Sequence, residues 1–139
     1  MYKRQLPART EIRSRKPLVV VDAAHNVASM QALLDTLAPA IARLRPRVLV
    51  FAASADKQIE EMLALAAGRF DHVVVTRYAT NPRAATTDRL AAACRPAGLP
   101  VARIAASPAE ALKQAKKLAG AAGLVCVAGS FFLATEIGD

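Results

Sequence analysis

Leu18-Val19-Val20-Val21-Asp22-Ala23-Ala24-His25-Asn26-Val27-Ala28-Ser29-Met30 is the stretch that decides how this chain folds. Residues 18–21 are four consecutive branched apolar residues, too few for a helix, and they read as a strand buried on both faces, the mark of a parallel sheet. Val27, Met30, Leu34, Leu37, Ile41 and Leu44 then recur at spacings of three and four, which is one face of a helix. Asp22, His25 and Asn26 fall between the two, at the carboxyl end of the strand, where open α/β sheets bind their ligands. Each also has an ordinary use: Asn26 suits a helix cap, Asp22 can accept N–H bonds of the turn, and His25 can lie on the surface.

Strands and helices alternate on either side of this stretch. Residues 10–14 form a short strand, and the connection Arg15-Lys16-Pro17 is too short for a crossover, so it must pair antiparallel with 18–21 at a sheet edge. Further buried strands are expected at 47–51, 72–76, 101–104 and 124–127. Helices are expected at 56–67, from Thr86 or Thr87 to Cys94, after the cap Ser107-Pro108, and at 131–137. Pro39 should kink the first helix or start a second segment. The polar connection 77–83 is the longest, which makes it a candidate functional loop. The pattern predicts an α/β fold: a Rossmann-like three-layer sandwich, its sheet mostly parallel with an antiparallel edge strand.

With 139 residues the chain has the size of one ordinary domain, and 54% hydrophobic against 4% aromatic residues suits an α/β core rich in Ala, Leu and Val. No apolar run reaches the roughly 20 residues that span a bilayer, and no signal-type core follows the basic start, so a cytoplasmic protein is expected. Cys94 and Cys126 form no CxxC or Cys/His cluster and read as core residues. The net charge of +8 is concentrated at the start, where residues 1–17 carry six basic side chains against one acidic. The remaining charge is scattered and lacks interleaved aromatics, so nucleic-acid binding is not expected.

Four short motifs, in order, resemble one family. Asp22-Ala23-Ala24-His25-Asn26 resembles the D-G-A-H-N-P motif of the folylpolyglutamate synthase and dihydrofolate synthase branch of the Mur ligase superfamily. Leu6-Pro7-Ala8-Arg9 is similar to its P-G-R, Ala55-Asp56-Lys57 to its D-K, and Gly129-Ser130-Phe131-Phe132-Leu133 to its G-S-x-x-L. The departures are Ala23 for glycine, Val27 for the final proline and Ala8 for the glycine before Arg9, all in loop residues rather than in the reactive side chains.

The resemblance implies a Mur-ligase-type C-terminal α/β domain over 10–139, with 1–9 a basic leader or interdomain linker remnant. It implies an ATP-dependent amide ligase, acting as a monomer, that turns a folate γ-carboxylate into an acyl phosphate for attack by the amine of L-glutamate. Arg9 and Asp22 would contact the nucleotide, Asp22 at the ribose. His25 and Ser130 would position the glutamate as the catalytic pair, with Asn26, Asp56 and Lys57 in support. ATP and Mg2+ would be held mainly by the enzyme's own N-terminal ATPase domain, and no metal ligand is expected here.

Residue chemistry alone leaves other readings open. Asp56 can cap its helix, and Lys57, near a helix N-terminus where a cation is disfavoured, makes sense facing a carboxylate or phosphate. Gly129-Ser130 can offer N–H groups and a hydroxyl to an anion, or can simply be a glycine turn with a serine cap. His72 opens a strand, has no partner motif and reads as structural. Neither G-x-x-x-x-G-K-[ST] nor G-x-G-x-x-G occurs, so the chain cannot hold ATP phosphates in a P-loop. The alternatives are a free-standing nucleotide- or phosphate-binding α/β module and a basic nucleic-acid-binding domain, the latter detectable by a steep salt dependence.

Overall fold

The computed structural model describes residues 10–138; the expectations for Arg9 and for the leader 1–9 lie outside the described residues. Strands β1 (Thr10–Arg15) and β2 (Leu18–Asp22) pair antiparallel, with an irregularity between Ile12 and Ser14. The chain continues through α1 (Val27–Arg43), β3 (Arg47–Phe51), α2 (Ile59–Ala66), β4 (His72–Val75) and α3 (Thr87–Cys94). It then forms β5 (Val101–Ile104), α4 (Pro108–Ala119), β6 (Leu124–Ala128) and α5 (Phe131–Glu136). The six strands form one sheet in the order β1-β2-β6-β3-β4-β5, with β1 antiparallel at one edge and the remaining strands mutually parallel.

Both faces of the sheet are covered because the strand residues alternate between two apolar sets. Val20, Leu49, Phe51, Val73, Val75, Leu124 and Cys126 pack against α1, α2 and α3 through Met30, Leu34, Ile59, Met62, Leu63 and Leu90. Val19, Val21, Val48, Val50, Val74, Val125 and Val127 pack against α4 and α5 through Ala111, Leu112, Ala115, Leu133 and Ile137. Cys94 and Cys126 are buried free thiols, and burial raises the Cys94 pKa to about 11. Among the described residues no helix is long and apolar enough to cross a membrane.

Two local expectations are corrected. No second segment starts at Pro39: α1 runs through it to Arg43, because the proline is exposed and Leu33, Leu34, Leu37 and Ile41 keep the helix on the core. Helix α2 starts at Ile59 and not at Asp56, and its cap position, Gln58, makes no side-chain cap bond. Ser54 forms a bridge to Ala84 and its carbonyl accepts from the Lys57 N–H at 3.1 Å, so residues 54–57 are used up in a turn before the helix begins. The caps expected elsewhere are present: Thr86 accepts from the Arg89 N–H at 3.2 Å, and Ser107 accepts from Glu110 ahead of Pro108.

The amino ends of the central strands are pinned by one ion pair. Arg47 donates its backbone N–H to Asp71 at 2.7 Å and two guanidinium N–H groups at 3.1 Å. Those side-chain hydrogen bonds are the largest influence holding the Asp71 pKa at about 2, below the ordinary 3.8. A carboxylate with a depressed folded-state pKa stabilises above its unfolded pKa and loses that contribution as pH falls through the folded value. Asp71→Asn is therefore expected to cost about 1 kcal/mol at neutral pH, discounted because the carboxylate is one-third exposed. It should also flatten the fall in stability between about pH 4 and about pH 2; urea unfolding across that range measures both.

The carboxyl ends are brought together at Gly129, where the chain leaves β6 with φ of 123°. A Cβ there would lie 2.2 Å from the Ala52 carbonyl oxygen and 2.9 Å from the Phe51 ring. The Gly129 N–H also donates to the Ala24 carbonyl at 2.9 Å, which ties the exits of β2, β6 and β3 to one another. Gly129→Ala is expected to cost about 3 kcal/mol, because the clash is with backbone and cannot be relieved by a rotamer. Gly68→Ala, at φ of 75° with nothing within 4 Å, should cost only about 1 kcal/mol for its backbone conformation. Equal losses in thermal unfolding would contradict this account of Gly129.

Candidate active site

His25, Ser54, Lys57, Ser130, Phe131 and Phe132 line a cavity of about 180 Å³ at the carboxyl edge of the sheet. Three residues anticipated from sequence, His25, Lys57 and Ser130, thus meet although they follow three different strands, β2, β3 and β6. Strand order explains it: β6 is inserted between β2 and β3, and parallel strands present their exits at one edge. The cavity lies well below the roughly 300 Å³ at which pockets for drug-sized ligands begin, and it suits a single amino acid rather than a nucleotide or a folate.

Asn26 caps α1 in a reciprocal box: its Oδ1 accepts from the Ser29 N–H at 2.8 Å, while the Ser29 hydroxyl accepts from the Asn26 N–H at 3.1 Å. The same hydroxyl accepts from the His25 N–H at 3.0 Å, so the cap fixes the backbone that carries the histidine. His25 Nδ1 lies 3.1 Å from the Ala23 carbonyl, which can only accept, and this assigns the proton to Nδ1. In the neutral ring Nε2 is then left with its lone pair, 3.5 Å from the Asn26 amide nitrogen. His25 Nε2 is thereby an acceptor at the cavity, held at the 3.5 Å limit by the Asn26 amide N–H.

Ser130 is 4% exposed and caps α5, accepting from the Phe132 N–H at 3.0 Å while its own proton remains available. Lys57 is exposed at the rim, two residues before α2. Asp56 does not line the cavity; it is exposed and faces Arg83 at 3.7 Å, a surface pair worth little.

Asp22 stands at the same edge but not in the cavity. It is 5% exposed, with Oδ1 accepting from the Ala24 N–H at 2.7 Å and Oδ2 from the Thr10 hydroxyl. Its charge adds to the effect of burial in raising the Cys126 thiol pKa. His72, at the opposite edge where β4 begins, takes no part.

Sequence reasoning missed Ser54, Tyr78 and the anchor of the loop 77–83. Ser54 is buried and lies 2.7 Å from the Tyr78 hydroxyl, and Tyr78 is stacked on Phe132 with ring centroids 5.5 Å apart. Glu136, at the end of α5, accepts from the N–H groups of Ala79 and Thr80 and from the Thr80 hydroxyl. Desolvation alone would raise the Glu136 pKa, but those hydrogen bonds together hold it below the ordinary value. The polar length of 77–83 pointed to this loop. Nothing in it showed that Tyr78 turns inward while Arg77 and Thr80 stay exposed.

Among the described residues no three His, Cys, Asp or Glu side chains converge as metal ligands. The residues around the cavity, one histidine with serine and lysine donors, do not fit a divalent ion.

A family model described as Mur ligase, glutamate ligase domain, matches residues 8–131. The dihydrofolate synthase/folylpolyglutamate synthase of Mycobacterium tuberculosis is 40% identical over 87 residues, which are 63% of this chain and 18% of that protein. The structure of Mycobacterium tuberculosis folylpolyglutamate synthase complexed with ADP superposes with a TM-score of 0.80 at 31% identity, over 93% of this chain and 30% of that one. A bifunctional folylpolyglutamate synthase/dihydrofolate synthase with Mn, AMPPNP and L-glutamate bound gives a TM-score of 0.76 at 31% identity, over 93% of this chain and 30% of that one. The chain spans less than a third of each of these relatives. With the family model covering nearly its whole length and the sheet order superposing on solved members, the chain belongs to the Mur ligase family, as its glutamate ligase domain.

Proposed function

We propose that this chain is the C-terminal domain of an ATP-dependent ligase that adds L-glutamate to a folate, as a folylpolyglutamate synthase or a combined dihydrofolate and folylpolyglutamate synthase. The observation that carries the reading is the convergence of His25, Lys57 and Ser130 on one amino-acid-sized cavity. A carboxylate needs donors, which Lys57 and Ser130 supply, and an amine needs an acceptor, which His25 Nε2 supplies. Relatives crystallised with ADP, with DHPP and ADP, and with L-glutamate support the choice of ligands.

In the proposed reaction a folate γ-carboxylate oxygen bonds to the γ-phosphorus of ATP, ADP leaves, and an acyl phosphate results. The glutamate amine must be unprotonated to attack the acyl carbon, and in this proposal His25 Nε2 takes a proton from it. The C–N bond forms as the bond from acyl carbon to phosphate oxygen breaks, and inorganic phosphate leaves with its electron pair. ATP binding and its divalent ion belong to a preceding ATPase domain, since this sequence carries no P-loop. Arg9 and Asp22 complete the nucleotide site in this proposal. Asp22 Oδ2 would exchange the Thr10 hydroxyl for a ribose hydroxyl, a donor of the same kind. Asn26 supports His25 through the α1 cap, and Asp56 and Lys57 support the same rim in this proposal. The same proposal assigns the enzyme to the cytoplasm as a monomer that binds neither nucleic acid nor membrane.

Residues 1–139 alone are expected to show no ATP-dependent addition of glutamate to a folate. In the full-length ligase, His25→Ala should lower turnover about a hundredfold or more, as displacement of reacting groups does, with thermal unfolding unchanged. Ligation by the isolated chain would refute the first half, and near-normal turnover of the variant would refute the second. Micromolar ATP binding by the isolated chain would instead favour a free-standing nucleotide module.

A further inference from the structure

The Ser54–Tyr78 pair is unexplained by the local fold, since neither hydroxyl caps a helix or closes a turn. Ser54 lines the cavity, and its hydroxyl lies 2.7 Å from that of Tyr78. Tyr78 is 2% exposed, packed among Val74, Ala84, Ala105 and Leu133 and stacked on Phe132. Among the described residues its hydroxyl has Ser54 as its one hydrogen-bond partner.

Geometry alone allows either hydroxyl to donate, but energetics separates the two arrangements. If Ser54 donated, the phenolic proton would be left without an acceptor in apolar surroundings, at a cost of about 1–3 kcal/mol. If Tyr78 donates, its proton is satisfied and the Ser54 proton is released toward the cavity. A phenol is also the better donor and poorer acceptor of the two. Tyr78 therefore donates and Ser54 accepts.

Ser130 is in the same condition, because its oxygen already accepts from the Phe132 N–H. The cavity thus presents two hydroxyl protons and the Lys57 ammonium, and no carboxylate lines it. A carboxylate, made only of acceptors, can take all three of these donors on its two oxygens, whereas an amide offers them one oxygen and turns its N–H groups toward an ammonium.

We infer that Ser54 is a third donor to a carboxylate of the incoming amino acid, and that Tyr78 is a positioning residue that acts through it by occupying one Ser54 lone pair and so fixing the hydroxyl. This rests on the proposed glutamate site. It adds to that site a reason for choosing a dicarboxylic amino acid over its amide, glutamine. The loop 77–83 then has a function reached through one buried phenol, and Glu136 serves to anchor it.

The test is an NMR titration of residues 1–139 with L-glutamate and, separately, with L-glutamine. Wild type should bind glutamate saturably and in preference to glutamine. Ser54→Ala should weaken glutamate binding about tenfold, the usual scale for a hydrogen bond to a charged group. Tyr78→Phe keeps the ring stack and should weaken it about threefold, since the hydroxyl of Ser54 is then free to turn away. The double variant S54A/Y78F should match S54A and narrow the preference over glutamine, and it removes the unpaired phenol that could destabilise S54A alone. Ser54→Thr keeps the hydroxyl and should restore binding. Unchanged affinity and preference in S54A and Y78F, with binding still weakened by Lys57→Ala, would overturn the role of the pair while leaving the site intact. Absence of saturable glutamate binding to wild type would overturn the glutamate site itself and this inference with it.

Discussion

The close approach at Gly129 is the constraint on which the site depends. Only a residue without a Cβ can pass the Ala52 carbonyl at that distance in that conformation. Because it does, the exit of β6 lies against both of its neighbours, and its N–H is satisfied by Ala24 rather than left orphaned in a buried bend. Ser130 follows immediately and is carried to within one small cavity of His25 and Lys57. A wider turn would keep the strand and lose the convergence.

Stability and chemistry are separated across the sheet. At the amino ends, Asp71 and Arg47 form a two-toothed ion pair between neighbouring strands, an arrangement that fixes register and has no side chain left over for a ligand. At the carboxyl ends, the polar groups around the cavity are each held by a neighbour within the fold. Ser130 accepts from the Phe132 N–H and Ser54 pairs with Tyr78, while His25 holds its Nδ1 proton on the Ala23 carbonyl and its Nε2 faces the Asn26 amide. Caps and turns that hold the backbone therefore also set the direction in which each side chain can still bond.

The same double use is why the sequence was ambiguous where it mattered. Asn26 as a cap and Ser130 as a cap were ordinary readings, and both are correct, yet each also fixes a residue of the cavity. The ordinary reading of Asp56 as a cap was not correct: Ser54 and Lys57 close a turn, and α2 begins three residues later than its periodicity suggested. Helix periodicity reports which residues face the core, and Ile59, Met62 and Leu63 do; it carries no information on a preceding turn set by a distant bridge to Ala84.

The sequence by itself determined the α/β alternation, the antiparallel edge made by the short connection at residues 15–17, and the placement of His25, Lys57 and Ser130 at strand exits. These follow from properties that act over a few residues: periodicity, chain length between elements, and the chemistry of caps and glycines. Only the tertiary structure decided that β6 lies between β2 and β3, that Asp22 spends both oxygens on Thr10 and Ala24, and that Tyr78 reaches Ser54. Those contacts join residues far apart in the chain, and local preference cannot rank one distant partner over another. They are selected by whichever arrangement buries both faces of the sheet and pairs nearly all the polar groups it buries, a condition that exists only once all six strands are in place.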